Sequence, residues 1–171
     1  EGFSDALIAR ADPDQRYQDP YPGLPQHPAE LRPEQLEQAF GQLTALLSQR
    51  SAFDRWFGCH VAQPRYPDLI FQPATELDAD ALAAALGAGH ALLRHPGSRF
   101  AFLVTASATV LSFVDGVAIE VPRADLEAVK KLCDLSIGNL SDFLSSFQTE
   151  SGQALILHLV NQGSLVLEPP A

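Results

Sequence analysis

The sequence predicts an α+β fold, in which a helical dimerisation region precedes a winged-helix-like domain with a small antiparallel sheet. In two segments within residues 33–66, apolar side chains recur every three or four residues, which is the spacing of amphipathic helices. Residues 91–121 are rich in the β-branched and aromatic side chains that favour strands, and helical segments and a last strand follow. That order is compatible with a winged-helix domain, in which short helices pack on a small sheet.

The first 32 residues are predicted to form a short helix and a proline-rich strap. Ser4 can cap a helix over residues 4–11. Six of the 13 prolines lie between residues 12 and 33, and each removes a backbone donor and disfavours helix in the residue before it. This sharp change in composition predicts a domain boundary after residue 32.

Residues 33–66 are predicted to contain two amphipathic helices, over residues 33–49 and 52–62. Pro33 suits a first helical turn, and Pro64 ends the second helix. The apolar faces could form a local core or a homodimer interface, and we expect the interface because the pair has little else to bury against. The predicted interface residues are Leu36, Phe40, Leu43, Leu47, Phe53, Trp56 and Phe57.

Residues 67–171 are predicted to form the winged-helix-like domain. The predicted helices cover residues 79–86, 123–134, 141–147 and 152–162, and the predicted strands cover residues 91–94, 99–106, 109–115, 117–121 and 164–168. Asp78 can cap the first of these helices. Asp115 and Gly116 are a tight-turn pair, so the strands on either side of them should form a hairpin.

Charge argues against nucleic acid as a partner. The 171 residues carry 11 Lys and Arg against 21 Asp and Glu, for a formal net charge of -10. No Lys or Arg follows Lys131, although both candidate recognition helices lie beyond it. Nucleic-acid binding depends on cations that contact phosphates, so we expect none here. We also expect no membrane association, because no apolar run approaches about 18 residues.

No catalytic, cofactor-binding or metal site is predicted. Cys59 and Cys133 are too few for a disulfide scaffold, and two buried thiols in a cytoplasmic protein are favoured over a bridge. None of the five histidines begins a His-x-Asp pair, and no phosphate loop or nucleophile elbow is present. His158 lies in an apolar helical segment and is expected to be a core histidine.

Four stretches together resemble a known family. They are RYQDP at residues 16–20, HPAEL at 27–31, FDRWFG at 53–58 and LVNQG at 159–163. In order and spacing they are similar to the C-terminal half of bacterial ribosomal oxygenases. These are JmjC-type, cupin-fold enzymes that hydroxylate an arginine of a large-subunit ribosomal protein.

The resemblance implies a JmjC catalytic barrel upstream of Glu1, with Fe(II) and 2-oxoglutarate as its cofactors and a ribosomal protein as its substrate. It also implies a homodimer. No position of this chain matches the family's iron ligands, and the missing initiator Met agrees with a C-terminal piece. The acidic chain would favour encounter with a cationic ribosomal protein. A stand-alone acidic interaction module of winged-helix type is the alternative, and an upstream His-x-Asp would decide between the two.

Overall fold

The computed structural model describes residues 2, 4–5, 9, 31–70, 72–73, 75–134, 137–139, 142, 145–147 and 149–170. The chain divides into two compact units, residues 1–56 and 57–171. Most of the strap and of the short helix predicted before residue 32 lies outside the described residues, as do residues 141, 143 and 144 of the helix predicted at 141–147. The domain boundaries expected from the sequence, at residues 32 and 66, stay a prediction.

The two amphipathic helices are both present, as α1 (Pro33–Leu47) and α2 (Arg50–Val61). Pro33 occupies the first turn of α1, where the backbone N–H that it lacks would have no helical partner. The backbone N–H of Arg32 donates to Oε1 of Gln35 at 3.0 Å, which satisfies one donor at this helix start. On α2, Nε of Arg50 lies 2.6 Å from Oδ1 of Asp54, one helical turn further on.

The second unit contains helices and two small antiparallel sheets, which confirms the predicted winged-helix class. Its helices are α3 (Ala79–Gly87), α4 (Leu126–Asp134) and α5 (Glu150–Gln162), with 3₁₀ turns at Pro67–Leu69 and Arg123–Asp125. Its strands are β1 (Ala91–Arg94), β2 (Phe100–Val104), β3 (Thr109–Val114), β4 (Val117–Pro122), β5 (Ile137–Asn139) and β6 (Leu165–Glu168). One sheet has the order β2-β3-β4 and the other β5-β1-β6.

The β3–β4 hairpin turns at Asp115 and Gly116, as the sequence predicts. Both residues have positive φ angles, 50° and 86°, which is the geometry of the tight turn that matches strand twist. The Asp115 carboxylate also fastens the turn to its surroundings. Its Oδ1 accepts from the backbone N–H of Arg99 at 2.8 Å, and its Oδ2 accepts from Oγ of Ser164 at 2.6 Å.

Strand β3 packs against a different cluster on each face, because successive side chains of a strand point to opposite sides. Val110 and Val114 are fully buried and belong to the main core with α4 and α5. Leu111 and Phe113 belong to a smaller cluster with Ala62. The main core residues are Leu82, Leu92, Val110, Val114, Val121, Ala128, Val129, Leu132, Phe147, Leu155, Ile156, Leu159, Val160 and Leu165.

A buried carboxylate fixes the start of α5. Asp125 is fully buried, and it accepts a hydrogen bond from the Oγ1 of Thr149 and a second, at 3.3 Å, from the backbone N–H of the same residue. Oγ1 of Thr149 in turn accepts from the backbone N–H of Gly152 at 3.1 Å, which caps the helix. A negative charge at this end also suits the helix dipole. Neither role was predicted from the sequence, and the predicted start of this helix, at residue 152, is two residues late.

Candidate functional site

The described side chains that could bind a metal ion do not cluster in one place. Among the residues that the structure describes, no group of three or more His, Cys, Asp or Glu could hold a metal ion. The described part of the chain therefore does not fit the iron site that the family resemblance implies. Cys59 and Cys133 are both half-buried, and neither is in a disulfide bond. His158 is exposed on α5, so the expectation of a core histidine is wrong, because the residue lies on the outward side of an amphipathic helix.

An exposed apolar face on α1 is the first candidate interaction surface. Four of the predicted interface residues lie on this helix, at spacings of four, three and four that place them on one face. Phe40 is 67% exposed, and the other three are each more than half exposed. The four residues are Leu36, Phe40, Leu43 and Leu47. A large apolar stripe of this kind in water is typical of an interaction site.

The three aromatic residues predicted for the same interface lie on α2. The rings of Phe53 and Trp56 contact each other, with centroids 5.9 Å apart and planes inclined by 43°. Phe53 and Phe57 are exposed, whereas Trp56 is half-buried. The structure thus leaves six of the seven predicted residues open to solvent, and their part in a dimer stays a prediction.

A groove in the second unit is the other candidate surface. It has a volume of about 560 Å³, and its apolar wall includes Pro64, Pro67 and Ile70. Glu76 and Asp115 bring two carboxylates to it. This groove was not predicted from the sequence, because its lining residues are spread from residue 64 to residue 162 and only the fold brings them together.

Within the described part of the chain, no helix combines the length and the apolar character that crossing a bilayer requires. Helix α5 corresponds to one of the two candidate recognition helices. It exposes Gln153, Ala154 and His158 to solvent. This face carries no Lys or Arg to contact phosphates, which agrees with the sequence argument. The expectation that nucleic acid is not a partner stays a prediction.

Comparison with known proteins agrees with the fold and with the resemblance. A family model described as ROXA-like winged helix matches residues 45–166. The ribosomal protein uL16 3-hydroxylase of Escherichia coli (strain K12) is 28% identical over 163 residues, which is 95% of this chain and 42% of that protein.

Solved structures show the same relationship. The crystal structure of the E. coli ribosomal oxygenase YcfD is 27% identical with a TM-score of 0.73, and the match covers 98% of this chain and 44% of that one. A YcfD structure in complex with cobalt and succinic acid is 25% identical with a TM-score of 0.73, over 97% and 44%. The chain spans less than half the length of these relatives. It belongs to the ROXA-like winged-helix family and is homologous to the C-terminal part of a ribosomal oxygenase, as the sequence predicted.

Proposed function

We propose that this chain is the non-catalytic dimerisation and winged-helix portion of an Fe(II)- and 2-oxoglutarate-dependent hydroxylase that modifies an arginine of a ribosomal protein. The observation that carries the proposal is the homology over 95% of the chain with the C-terminal part of a ribosomal protein hydroxylase. Relatives bind cobalt with succinate or with 2-oxoglutarate, which are ligands expected of such an enzyme. Ribosomal proteins are made in the cytoplasm, so we place the protein there.

Iron and 2-oxoglutarate would supply the oxidising chemistry on residues outside this chain. In this proposal the chain contributes by folding, pairing and positioning, and its described residues offer no metal-ligand cluster. The acidic composition, a net charge of -10, also supports the alternative of a stand-alone interaction module for basic proteins. The two proposals differ in whether the polypeptide that contains this chain oxidises anything.

The pairing role rests on the α1 face. Phe40 and Leu43 lie near the middle of a stripe that runs from Leu36 to Leu47, about 16 Å along the helix axis. Removing apolar surface from water contributes about 25 cal/mol per Å², so an exposed stripe of this length favours a partner. A second copy supplies the same face, and a two-fold axis would pair the stripes with each other.

A matched pair of charge substitutions tests the pairing role. Phe40→Glu places a carboxylate in the stripe, whereas Gln42→Glu adds the same charge about a third of a helical turn away from it. Sedimentation velocity of the chain should show a dimer for the parent and for Gln42→Glu, and a monomer for Phe40→Glu. A dimer that survives Phe40→Glu with unchanged affinity would reject this face as the interface.

The hydroxylase assignment is tested on the polypeptide that contains this chain. It should be incubated with ribosomal protein uL16 from the same organism, Fe(II) and 2-oxoglutarate, and the product should be analysed by mass spectrometry. We expect the mass of one added oxygen atom on an arginine, and no addition when 2-oxoglutarate is omitted. Oxygen on a different kind of residue would correct the site of modification, and no oxidation of uL16 would favour the interaction module.

A further inference from the structure

The groove in the second unit lies between α5, the β3–β4 turn and the segment that precedes α3. Its wall is apolar at Pro64, Pro67 and Ile70, and its polar rim contains Glu76 and His158. All lining residues belong to the second unit. The groove is therefore a feature of the winged-helix part alone, and it is separate from the apolar face of α1.

The charge that reaches the groove is negative. Among its described lining residues are two carboxylates, Glu76 and Asp115, and no Lys or Arg. Asp115 accepts from an amide N–H and a hydroxyl, which are neutral donors that leave its charge in place. The guanidinium of Arg99 lies nearby but donates to the carbonyl of Gln63 at 3.4 Å and is not part of the lining.

Part of the rim has unused hydrogen-bonding capacity. None of the described residues hydrogen-bonds to the exposed side chains of Gln72, Glu76 or His158. Asn161, by contrast, is used internally, since its Oδ1 accepts from the N–H of Leu77 at 2.8 Å and its Nδ2 donates to the carbonyl of that residue at 2.9 Å. Asn161 is thus held in place by Leu77, whereas the side chains of Gln72, Glu76 and His158 can turn towards a partner.

Carboxylates above an apolar wall suit a long cationic side chain. An arginine or lysine buries its aliphatic stem against apolar surface while its charged head stays at the rim. Arginine fits better, because its planar guanidinium stacks on flat surfaces and its forked donors match carboxylate oxygens. Lysine presents a compact, strongly hydrated charge that needs neither feature.

We propose that this groove docks an arginine-containing basic segment of the ribosomal protein substrate. The inference rests on the proposed function for the identity of the partner, and on the groove itself for the mode of binding. Binding in the groove confines the partner to one concave surface, which attraction by net charge alone would not do. Binding there would hold the substrate on the non-catalytic half of the protein while another segment reaches the reacting centre.

The test uses two variants that remove the same charge from different places. Glu76→Gln acts at the groove, whereas Glu168→Gln acts on β6, outside the groove lining. The probe is a short fluorescent peptide of alternating arginine and glycine, titrated with the chain at low salt and followed by anisotropy. We expect Glu76→Gln to weaken binding about threefold and Glu168→Gln to leave it unchanged. A peptide in which citrulline replaces arginine should not bind.

Equal effects of the two substitutions, or equal binding of the citrulline peptide, would overturn the docking site. A second measurement separates this inference from the proposed function. In the polypeptide that contains this chain, Glu76→Gln should raise the KM for the ribosomal protein and leave kcat unchanged. Hydroxylation with an unchanged KM would reject the groove and leave the proposed function standing. If the parent polypeptide hydroxylates nothing, the proposed function fails while peptide binding at the groove is still measured on this chain.

Discussion

Replacing Gly58 by Ala should destabilise the second unit, although Ala is the better helix former. Gly58 is buried on α2. A Cβ at this position would lie 2.2 Å from Cζ of Phe113 and 2.4 Å from each of its two Cε atoms. Carbon atoms normally approach to about 3.5–4.0 Å, so the ring or the helix must move by more than an ångström. Phe113 is only 2% exposed, and it lies on β3, the central strand of its sheet.

The expected magnitude combines two opposing effects. Overpacking a core typically costs about 1–3 kcal/mol, and the short distances to a buried ring place this case near the upper end. Replacing a helical Gly by Ala stabilises the helix by about 1 kcal/mol. The free energy of unfolding should therefore fall by about 2 kcal/mol. Urea unfolding followed by circular dichroism measures this change.

A control in the neighbouring helix isolates the cause. Gly41 lies within α1, and a Cβ there would meet no described atom within 4 Å apart from those of its chain neighbours and its own helix backbone. Gly41→Ala should therefore stabilise its helix by about 1 kcal/mol. Phe113→Leu, combined with Gly58→Ala, should be less damaging than the sum of the two single changes, because the smaller side chain makes room for the new methyl group. Unfolding of Gly58→Ala at the same urea concentration as the parent, or at a higher one, would refute the predicted clash with Phe113.

Two further perturbations test the fold. Thr149→Val should lower the free energy of unfolding by about 1–2 kcal/mol, because buried Asp125 loses a donor and α5 loses its cap. Thr149→Ser keeps the hydroxyl and should keep most of the parent's free energy of unfolding. Urea titrations of the three proteins measure the difference. Burial, and then the charge of Asp134, raise the pKa of Cys133 from 9.0 to about 11, while Arg94 opposes the shift. The folded state holds the thiol proton more tightly than the unfolded state does. The contribution of Cys133 to the free energy of unfolding should therefore be fully present below pH 9 and be lost as the pH rises towards 11. Cys133→Ala should remove that pH-dependent part of the loss, and an unchanged slope would contradict the assignment.

The hairpin and the amphipathic helices could be predicted because each depends on residues close together in sequence. Asp115 and Gly116 adopt the positive φ angles that few other residue pairs tolerate, so the turn can be identified from two letters. The stripe from Leu36 to Leu47 is visible in the spacing of its leucines and its phenylalanine. The start of α3 was predicted from a local signal too. Asp78 caps this helix, as expected, by accepting a hydrogen bond from the N–H of Ala81 at 2.8 Å.

Features that depend on distant residues were missed. Strand β5 has three residues and includes Gly138, so neither its length nor its composition predicts a strand, and it exists because it pairs with β1. The Thr149 side chain that caps α5 is held by Asp125, which lies 24 residues earlier in the chain. The exposure of His158 follows from which side of α5 faces the core, and an apolar composition alone does not show this.

The candidate surfaces divide in the same way. The α1 face could be predicted as apolar, since a single helix carries it. The groove could not, because Pro64, Glu76, Asp115 and His158 come from four separate segments. The count of charged residues indicates that a preferred partner carries positive charge. Only the fold shows where two carboxylates lie beside an apolar wall.

The most direct test of the central claim is the release of labelled carbon dioxide from 2-oxoglutarate that carries the label at C1. The polypeptide that contains this chain and the 171-residue chain alone should be compared with Fe(II) and a ribosomal protein present. We predict release by the longer polypeptide and none above the enzyme-free background by the chain alone. Release by the 171 residues alone would contradict their non-catalytic role, and no release by either would contradict the hydroxylase assignment.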